Sequence, residues 1–305
     1  MARLTAGIAA SHIPAIGAAV DNGHPPSRTG PLDRLQIPTA HTGPALAALV
    51  DRVAAWHAAA PVDAIGIASF GPLALDRGDS AFGHVVATPK PHWSHTDVRG
   101  AFARAVAVAV AIGFDTDVAG AALAEARWGA AKGSRDHVYL TIGTGVGAGI
   151  VAGGRIVHGA GHAEVGHVRV RRVAGDTFAG ACPFHGDCLK GLIAGPALAA
   201  RTGLAGDAIP TDHPVWAKVA DELAEALAML VLTLAPQRII IGGGIATKRT
   251  HLLPLAVART AALLGGYLSG YDAAALPRCI VPTGLGDDAG PLGAVALGEA
   301  ARAAG

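Results

Sequence analysis

An α/β fold is predicted by three observations. Short apolar runs that read as buried strands, among them Ala64–Ser69, His137–Ile142 and Arg238–Ile241, alternate with longer segments of helical apolar spacing. Glycine or proline ends each strand-like run. The chain of 305 residues is long enough for two lobes of ordinary size, each with its own core.

Taken in order, Thr42–Ala59 places Leu46, Leu49, Val50, Val53 and Trp56 on one helical face, with Thr42 as the expected N-cap. Ala64–Ser69 is the first clear strand, and Phe70-Gly71-Pro72-Leu73 turns at its end. Open α/β sheets bind ligands beyond the carboxyl ends of their strands, so this turn is a candidate binding element. Trp93, in the loop Ala87–Trp93, is expected to pack rather than to bind. Ala101–Ile112 reads as a helix, and Gly113–Val118 leads into a second helix, Ala119–Trp128, with Asp115 or Thr116 at its cap. Asp115 and Asp117 would face the same way if that stretch were extended.

After the strand His137–Ile142 comes Gly143-Thr144-Gly145-Val146-Gly147, with no helix directly behind it, so the glycines are not a dinucleotide fingerprint. Gly153-Gly154, between Ile150-Val151 and Arg155–Val157, predicts a hairpin. Val215–Leu234 is a long amphipathic helix ending near Pro236, and the strand Arg238–Ile241 runs into Gly242-Gly243-Gly244. Pro282–Gly290 precedes a final helix.

The formal net charge of +1 offers no footprint for nucleic acid. No apolar run reaches the length of a membrane span, and the N-terminus lacks a basic region followed by an apolar core. With three cysteines, not all can pair, and a reducing cytoplasmic location is expected. Cys279 reads as a small buried hydrophobe.

The other two cysteines lie in the stretch Gly161–Cys188. His167 is followed after fourteen residues by Cys182, His185 and Cys188, the last three within seven residues of chain broken by Pro183 and Gly186. Two thiolates and two imidazoles suit a tetrahedral Zn²⁺, and four protein ligands leave no open coordination position. The expectation is a structural zinc knot over 167–188. Two unrelated cysteines near two ordinary histidines are the alternative.

Within this stretch, Glu164-x-Gly166-His167 followed by Cys-Pro-Phe-His-Gly-Asp-Cys resembles the ROK family of sugar kinases, in its bacterial fructokinase branch, from about Pro31 to the C-terminus. The resemblance implies a two-lobed ribonuclease-H-like, actin-like ATPase fold with ATP and sugar in the cleft. The lobes would be residues 1–118, joined by the C-terminal helix at about 290–305, and residues 119–289. It implies phosphorylation of a hexose, fructose at its 6-hydroxyl, with ATP and Mg²⁺, by a homodimer. Asp117 would be the catalytic base, and Ser69, Gly71, Pro72, Thr116, Glu164 and His167 would bind the sugar. Thr144, Gly145, Gly242, Gly243 and Gly244 would hold the nucleotide.

Several positions depart from the family pattern. Residues 1–23 lack its first phosphate loop, with Ala9 at the acidic position and no double glycine. That segment, through Ser11-His12-Ile13-Pro14-Ala15, instead resembles the N-terminus of protocatechuate-type extradiol dioxygenases, where the histidine is an iron ligand. An ordinary histidine in a transplanted or misjoined segment is the expected reading of His12. His24–Gly30 is a Pro-rich seam, and Leu32–Thr39 resembles the second or third strand of the family fold. Lys190 stands where the family has a sugar-contacting Glu, Ala194 where it has Ser, and Ala119 where it often has Asn. The departures leave two other readings, a non-catalytic sugar-binding relative and, more remotely, an iron dioxygenase.

Overall fold

The structure, a computed structural model, describes residues 4–10, 15–21, 33–37, 41–88, 90–106 and 110–304. Its contacts divide into two units. The first comprises Met1–Lys132, Ile156–Ala163 and Asp288–Gly305, and the second Gly133–Arg155 and Glu164–Asp287. The break in the chain thus falls after Lys132 rather than after residue 118, because the helix that begins at Asp117 packs within the first unit.

The first unit is built on a five-stranded sheet of β1 (Leu4–Ala10), β2 (Ala15–Asp21), β3 (Asp33–Ile37), β4 (Val62–Ser69) and β7 (Ala111–Thr116). The strand order is β3-β2-β1-β4-β7. The first three strands are antiparallel neighbours, and β4 and β7 continue the sheet in parallel. The Leu32–Thr39 segment supplies the third strand.

The described part of the atypical N-terminal segment is an integral part of this sheet. β1 is the middle strand of the sheet, paired on one side with β2 and on the other with β4, and Ala6 and Ile8 are buried in the core. Apart from the buried Thr5 it carries only apolar residues and glycine, which suits a strand with neighbours on both sides. The sequence Ser11-His12-Ile13-Pro14, His24–Gly30 and the candidate iron ligand His12 lie outside the described residues.

Helix α1 (Thr42–Ala59) has the predicted limits, and its apolar face buries Ala45, Leu49 and Val53. Its N-cap is His41, not Thr42, and the Thr42 hydroxyl instead donates to the carbonyl of His92. The expected helix Ala101–Ile112 is also corrected. Helix α2 spans Val98–Ala105, capped by Asp97, whose carboxylate accepts the Gly100 N–H at 2.7 Å. Ile112 belongs to β7, since the Val-Ala alternation of 106–112 has a period of two and branched residues that suit a strand. A two-stranded ribbon, β5 (His84–Val85) with β6 (Thr96–Asp97), lies between. Helix α3 (Asp117–Trp128) and the final helix, α10 (Ala289–Ala304), pack against the same sheet and against each other, with Ala294 and Leu297 meeting Ala9 and Ala68.

The second unit repeats the plan. Its sheet has the order β10-β9-β8-β11-β12, from β8 (His137–Ile142), β9 (Val146–Ala152), β10 (Arg155–Ile156), β11 (Arg238–Gly242) and β12 (Ile280–Pro282). In both units the strands run third, second, first, fourth, fifth in chain order. That shared order makes the duplication visible in the topology. The Gly153-Gly154 hairpin forms as predicted, with both residues at positive φ. Helices α4 (Leu189–Ile193), α5 (Gly195–Thr202), α6 (Val215–Leu234), α7 (Gly244–Lys248), α8 (Leu252–Leu264) and α9 (Leu276–Cys279) complete the unit. Cys279 is buried as expected, its thiol 3.4 Å from the Pro236 carbonyl. Among the described residues, no helix is long and apolar enough to cross a membrane.

Candidate active site and the Cys/His cluster

In the first unit, β4 and β7 are parallel neighbours, and the registered pair Ser69 and Thr116 ends both strands. Each then does something different. After Ser69 the chain makes the Phe70–Leu73 turn. After Thr116 it enters α3, and the Thr116 hydroxyl caps the helix by accepting the Ala119 N–H at 3.1 Å. The chain is therefore not extended across 115–117, and the two aspartates part company. Asp115 is buried, with one carboxylate oxygen accepting the Thr116 N–H at 2.7 Å and the other 2.9 Å from Nε2 of His158. Asp117 is the first residue of the helix and half-buried, and its Oδ1 accepts the Val118 N–H at 2.9 Å. Carboxylates are favoured there by the helix dipole.

Lys90 lies in the field of Asp117. Burial pushes its ammonium down to about 8, and the Asp117 charge works in the other direction. Its Nζ stands 4.1 Å from the centre of the Phe70 ring and 5.6 Å from that of Trp93. Trp93 is 1% exposed and meets Phe70 edge-on, so its role is packing, as expected.

In the second unit, Gly143-Thr144-Gly145 joins β8 to β9 in a turn closed by Gly143 N–H to Gly145 O at 2.9 Å. Thr144 is exposed. The other glycine loop follows β11, where Gly243 has φ +87° and no room for a Cβ, which would lie 2.5 Å from the Ile142 carbonyl. The two loops are adjacent, since a Cβ on Gly143 would lie 3.7 Å from the Gly244 nitrogen. Beside the second loop is a largely apolar cavity of about 770 Å³, lined among others by Ile241, Ala246, Thr247 and Thr283. The amides, the Thr144 hydroxyl and the cavity suit a ligand with an anionic end and an apolar end.

Lys190 does not swing into solvent. It is half-buried, and its Cε passes 3.8 Å from the place a Cβ on Gly145 would take. Among the described residues it has no ion-pair partner. Its charge adds to burial in holding the His167 imidazole below its ordinary value.

His167, Cys182, His185 and Cys188 come together. One donor atom from each lies within 4.8 Å of all the others. A tight turn does this, with Cys182 and Gly186 exchanging backbone hydrogen bonds of 3.1 and 2.9 Å and Gly186 at φ +61°. The 3₁₀ turn Val165–His167 brings in the fourth residue. Nδ1 of His167 lies 3.7 Å from Cys182 Sγ, 3.6 Å from Cys188 Sγ and 3.0 Å from Nδ1 of His185. A tetrahedron with Zn–S bonds of ~2.3 Å and Zn–N bonds of ~2.0 Å has edges of roughly 3.3–3.8 Å. The donor set fits zinc, and the sulfur–imidazole distances of 3.6, 3.7 and 3.8 Å match those edges. Nε2 of His167 points the other way, 4.0 Å from a carboxylate oxygen of Glu164.

Residues 30–301 match the sequence model of the ROK family. This chain belongs to the ROK family. A fructokinase of Pediococcus pentosaceus is 40% identical over 269 residues, which cover 88% of this chain and 90% of that one. A fructokinase of Zymomonas mobilis is 42% identical over 242 residues, 78% of each chain. Among solved structures, the ROK hexokinase from Thermus thermophilus superposes with a TM-score of 0.77 at 25% identity, covering 99% of this chain and all of that one. A ROK family glucokinase from Streptomyces griseus, solved with glucose and AMPPNP, has a TM-score of 0.69 at 25% identity, covering 97% of this chain and 99% of the other.

Against this ROK background, three residues around the strand ends had no signal in the sequence. Lys90 reads as an ordinary loop cation, and His158 and His162 as histidines in a glycine-rich stretch. His162 lies over the Phe70–Leu73 turn, its Nε2 accepting the Leu73 N–H at 3.1 Å.

Proposed function

We propose that this ROK chain transfers the γ-phosphoryl group of ATP to a hexose, fructose at its 6-hydroxyl. The observation that carries this reading is the set of relatives named fructokinase, 36–42% identical over most of the chain. The site chemistry supports it from the residues up. Asp117 accepts the proton of the attacking hydroxyl, and the strand-end turn of Ser69, Gly71 and Pro72, with Thr116, binds the sugar. Glu164 and His167 orient sugar hydroxyls, His167 through the ring nitrogen that faces away from the cysteines.

Gly143-Thr144-Gly145 holds the phosphates, and Gly242-Gly243-Gly244 receives the ribose and adenine, next to the apolar cavity. Mg²⁺ arrives as the complex with ATP. Ala9, 5% exposed near the end of β1, offers the metal ion no carboxylate. His167, Cys182, His185 and Cys188 would hold zinc, which supplies a structural clamp on the loop carrying Glu164. Thiolate ligands fit the reducing cytoplasm, and the homodimer implied by the resemblance is checked by sedimentation.

A sugar-by-nucleotide screen for ADP release on fructose, glucose and mannose tests the reading. Fructose-stimulated release supports it, and none from folded, zinc-loaded protein overturns it. A second reading, a sugar-binding relative without turnover, is favoured by Ala9 and Lys190. Calorimetric hexose binding without ADP release would select it.

A further inference from the structure

The segment Ile156–Ala163 belongs to the first unit, although the chain on either side of it belongs to the second. His158 and His162 are partners in an isolated antiparallel bridge, closed by Gly159 N–H to Gly161 O at 2.9 Å. Residues directly opposite each other in such a bridge put their side chains on the same face. The small hairpin therefore presents two imidazoles side by side, and each reaches the end of a different strand.

His158 Nε2 lies 2.9 Å from the carboxylate of buried Asp115, two residues before Asp117. The hydrogen bond to Asp115 is the main reason the His158 imidazole is raised above its ordinary value, with burial opposing. Asp115 in turn accepts the Thr116 N–H. His162 Nε2 accepts the Leu73 N–H at 3.1 Å, which fixes its tautomer with the proton on Nδ1. A Cβ on Gly71 would lie 2.9 Å from the His162 ring, so glycine is what lets the imidazole cover the turn. The strands so held, β4 and β7, are neighbours, and ligands in open α/β sheets sit beyond such ends.

We propose that His158 and His162 are positioning residues of the phosphoryl-acceptor site. His158 holds the Asp115-Thr116-Asp117 strand end through Asp115, and His162 holds the Phe70–Leu73 turn through the Leu73 amide. Neither residue is assigned contact with substrate. The proposal rests on the kinase reading above. Misplacing a reacting group by about 1 Å can cost on the order of 10²-fold in rate, so both hydrogen bonds bear on turnover without taking part in it.

The test uses the full-length protein with His162→Ala, His162→Gln, His158→Ala and Asp115→Asn, each checked for folding by circular dichroism. His162→Ala is expected to raise the fructose KM roughly 10-fold or more while the ATP KM stays within about twofold. His162→Gln, whose side-chain oxygen can still accept the Leu73 N–H, is expected to restore most of that loss. His158→Ala and Asp115→Asn are expected to lower kcat more than they raise either KM. Equal changes in the fructose and ATP constants, or no rescue by Gln, would overturn the positioning role. Fructose affinity by calorimetry on the same variants separates the two claims. If the unsubstituted chain binds fructose but releases no ADP, the kinase reading fails, and the positioning proposal stands or falls on whether His162→Ala weakens that binding. If the unsubstituted chain binds no hexose, both fail.

Discussion

The Nδ1 atoms of His167 and His185 lie 3.0 Å apart, and both cysteine sulfurs stand within 3.8 Å of one or the other. Four donors gathered this closely are what the proposed shared Zn²⁺ would require. A closed Cys2His2 site feeds its binding free energy into folding. Cys182→Ser is therefore expected to lower Tm by roughly 5 °C or more. Its effect on kcat per folded molecule should be smaller, because none of the four residues meets the phosphoryl group. Metal analysis and a melting curve before and after exhaustive chelation check this. Unchanged metal content and Tm would remove the zinc assignment.

Asp117 is the proposed base, and its place at the first turn of α3 holds it independently of substrate. Asp117→Asn keeps the size and the helix start but cannot take a proton. The expected loss is about 10²–10⁴-fold in kcat with little change in Tm or fructose KM, which steady-state kinetics beside a melting curve will read. A loss confined to KM would reassign Asp117 to binding.

Lys90 makes a prediction whose sign runs against the usual one. Its folded value, about 8, is below the ordinary 10.5, so between those limits the unfolded chain binds more protons. Stability attributable to this residue therefore rises with pH across that window, and below about 8 the buried charge costs stability. Lys90→Met is expected to be neutral or stabilising at pH 7, with its advantage over the wild type shrinking towards pH 10. It should also lower kcat, because Asp117 loses the cation in its field. Urea unfolding of both proteins from pH 7 to 10 reads the first effect. A wild-type advantage that grows as pH falls would contradict it.

Much of the fold and part of this site were legible in the chain. The helix Thr42–Ala59 and the strand His137–Ile142 appear with the limits their apolar spacing dictates. The clustering of His167, Cys182, His185 and Cys188 was legible because two of three scarce cysteines share a seven-residue run with a histidine. The Ala101–Ile112 segment was not, since Ala and Val in alternation suit a helix end and a strand start equally until β4 supplies a partner. His158 and His162 were invisible because their meaning lies in Asp115 and Leu73, distant in sequence and near only once β4 and β7 are side by side. The strand Leu4–Ala10 was not singled out because attention there falls on the missing loop groups that follow it.

The strand Leu4–Ala10 leads into the segment where the family's first phosphate loop would be. Phosphoryl transfer depends on positioning and charge stabilisation, and one well-placed donor is worth on the order of 10²–10³ in rate. The wild-type chain is therefore expected to turn over well below the ~1–100 s⁻¹ usual for kinases. Combining Ala9→Glu, Ser11→Gly, His12→Gly and Ile13→Thr should raise kcat more than it changes fructose affinity. An ordinary kinase rate in the unsubstituted chain would show that the missing loop groups are not needed.

The central claim is transfer of the γ-phosphoryl group to the 6-hydroxyl of fructose. The direct measurement is the ¹³C spectrum of labelled fructose after prolonged incubation with ATP, Mg²⁺ and zinc-loaded protein. The account predicts a C6 resonance shifted and split by phosphorus, absent when Asp117→Asn replaces the wild type. Unchanged fructose, or phosphorus coupling at another carbon, would contradict it.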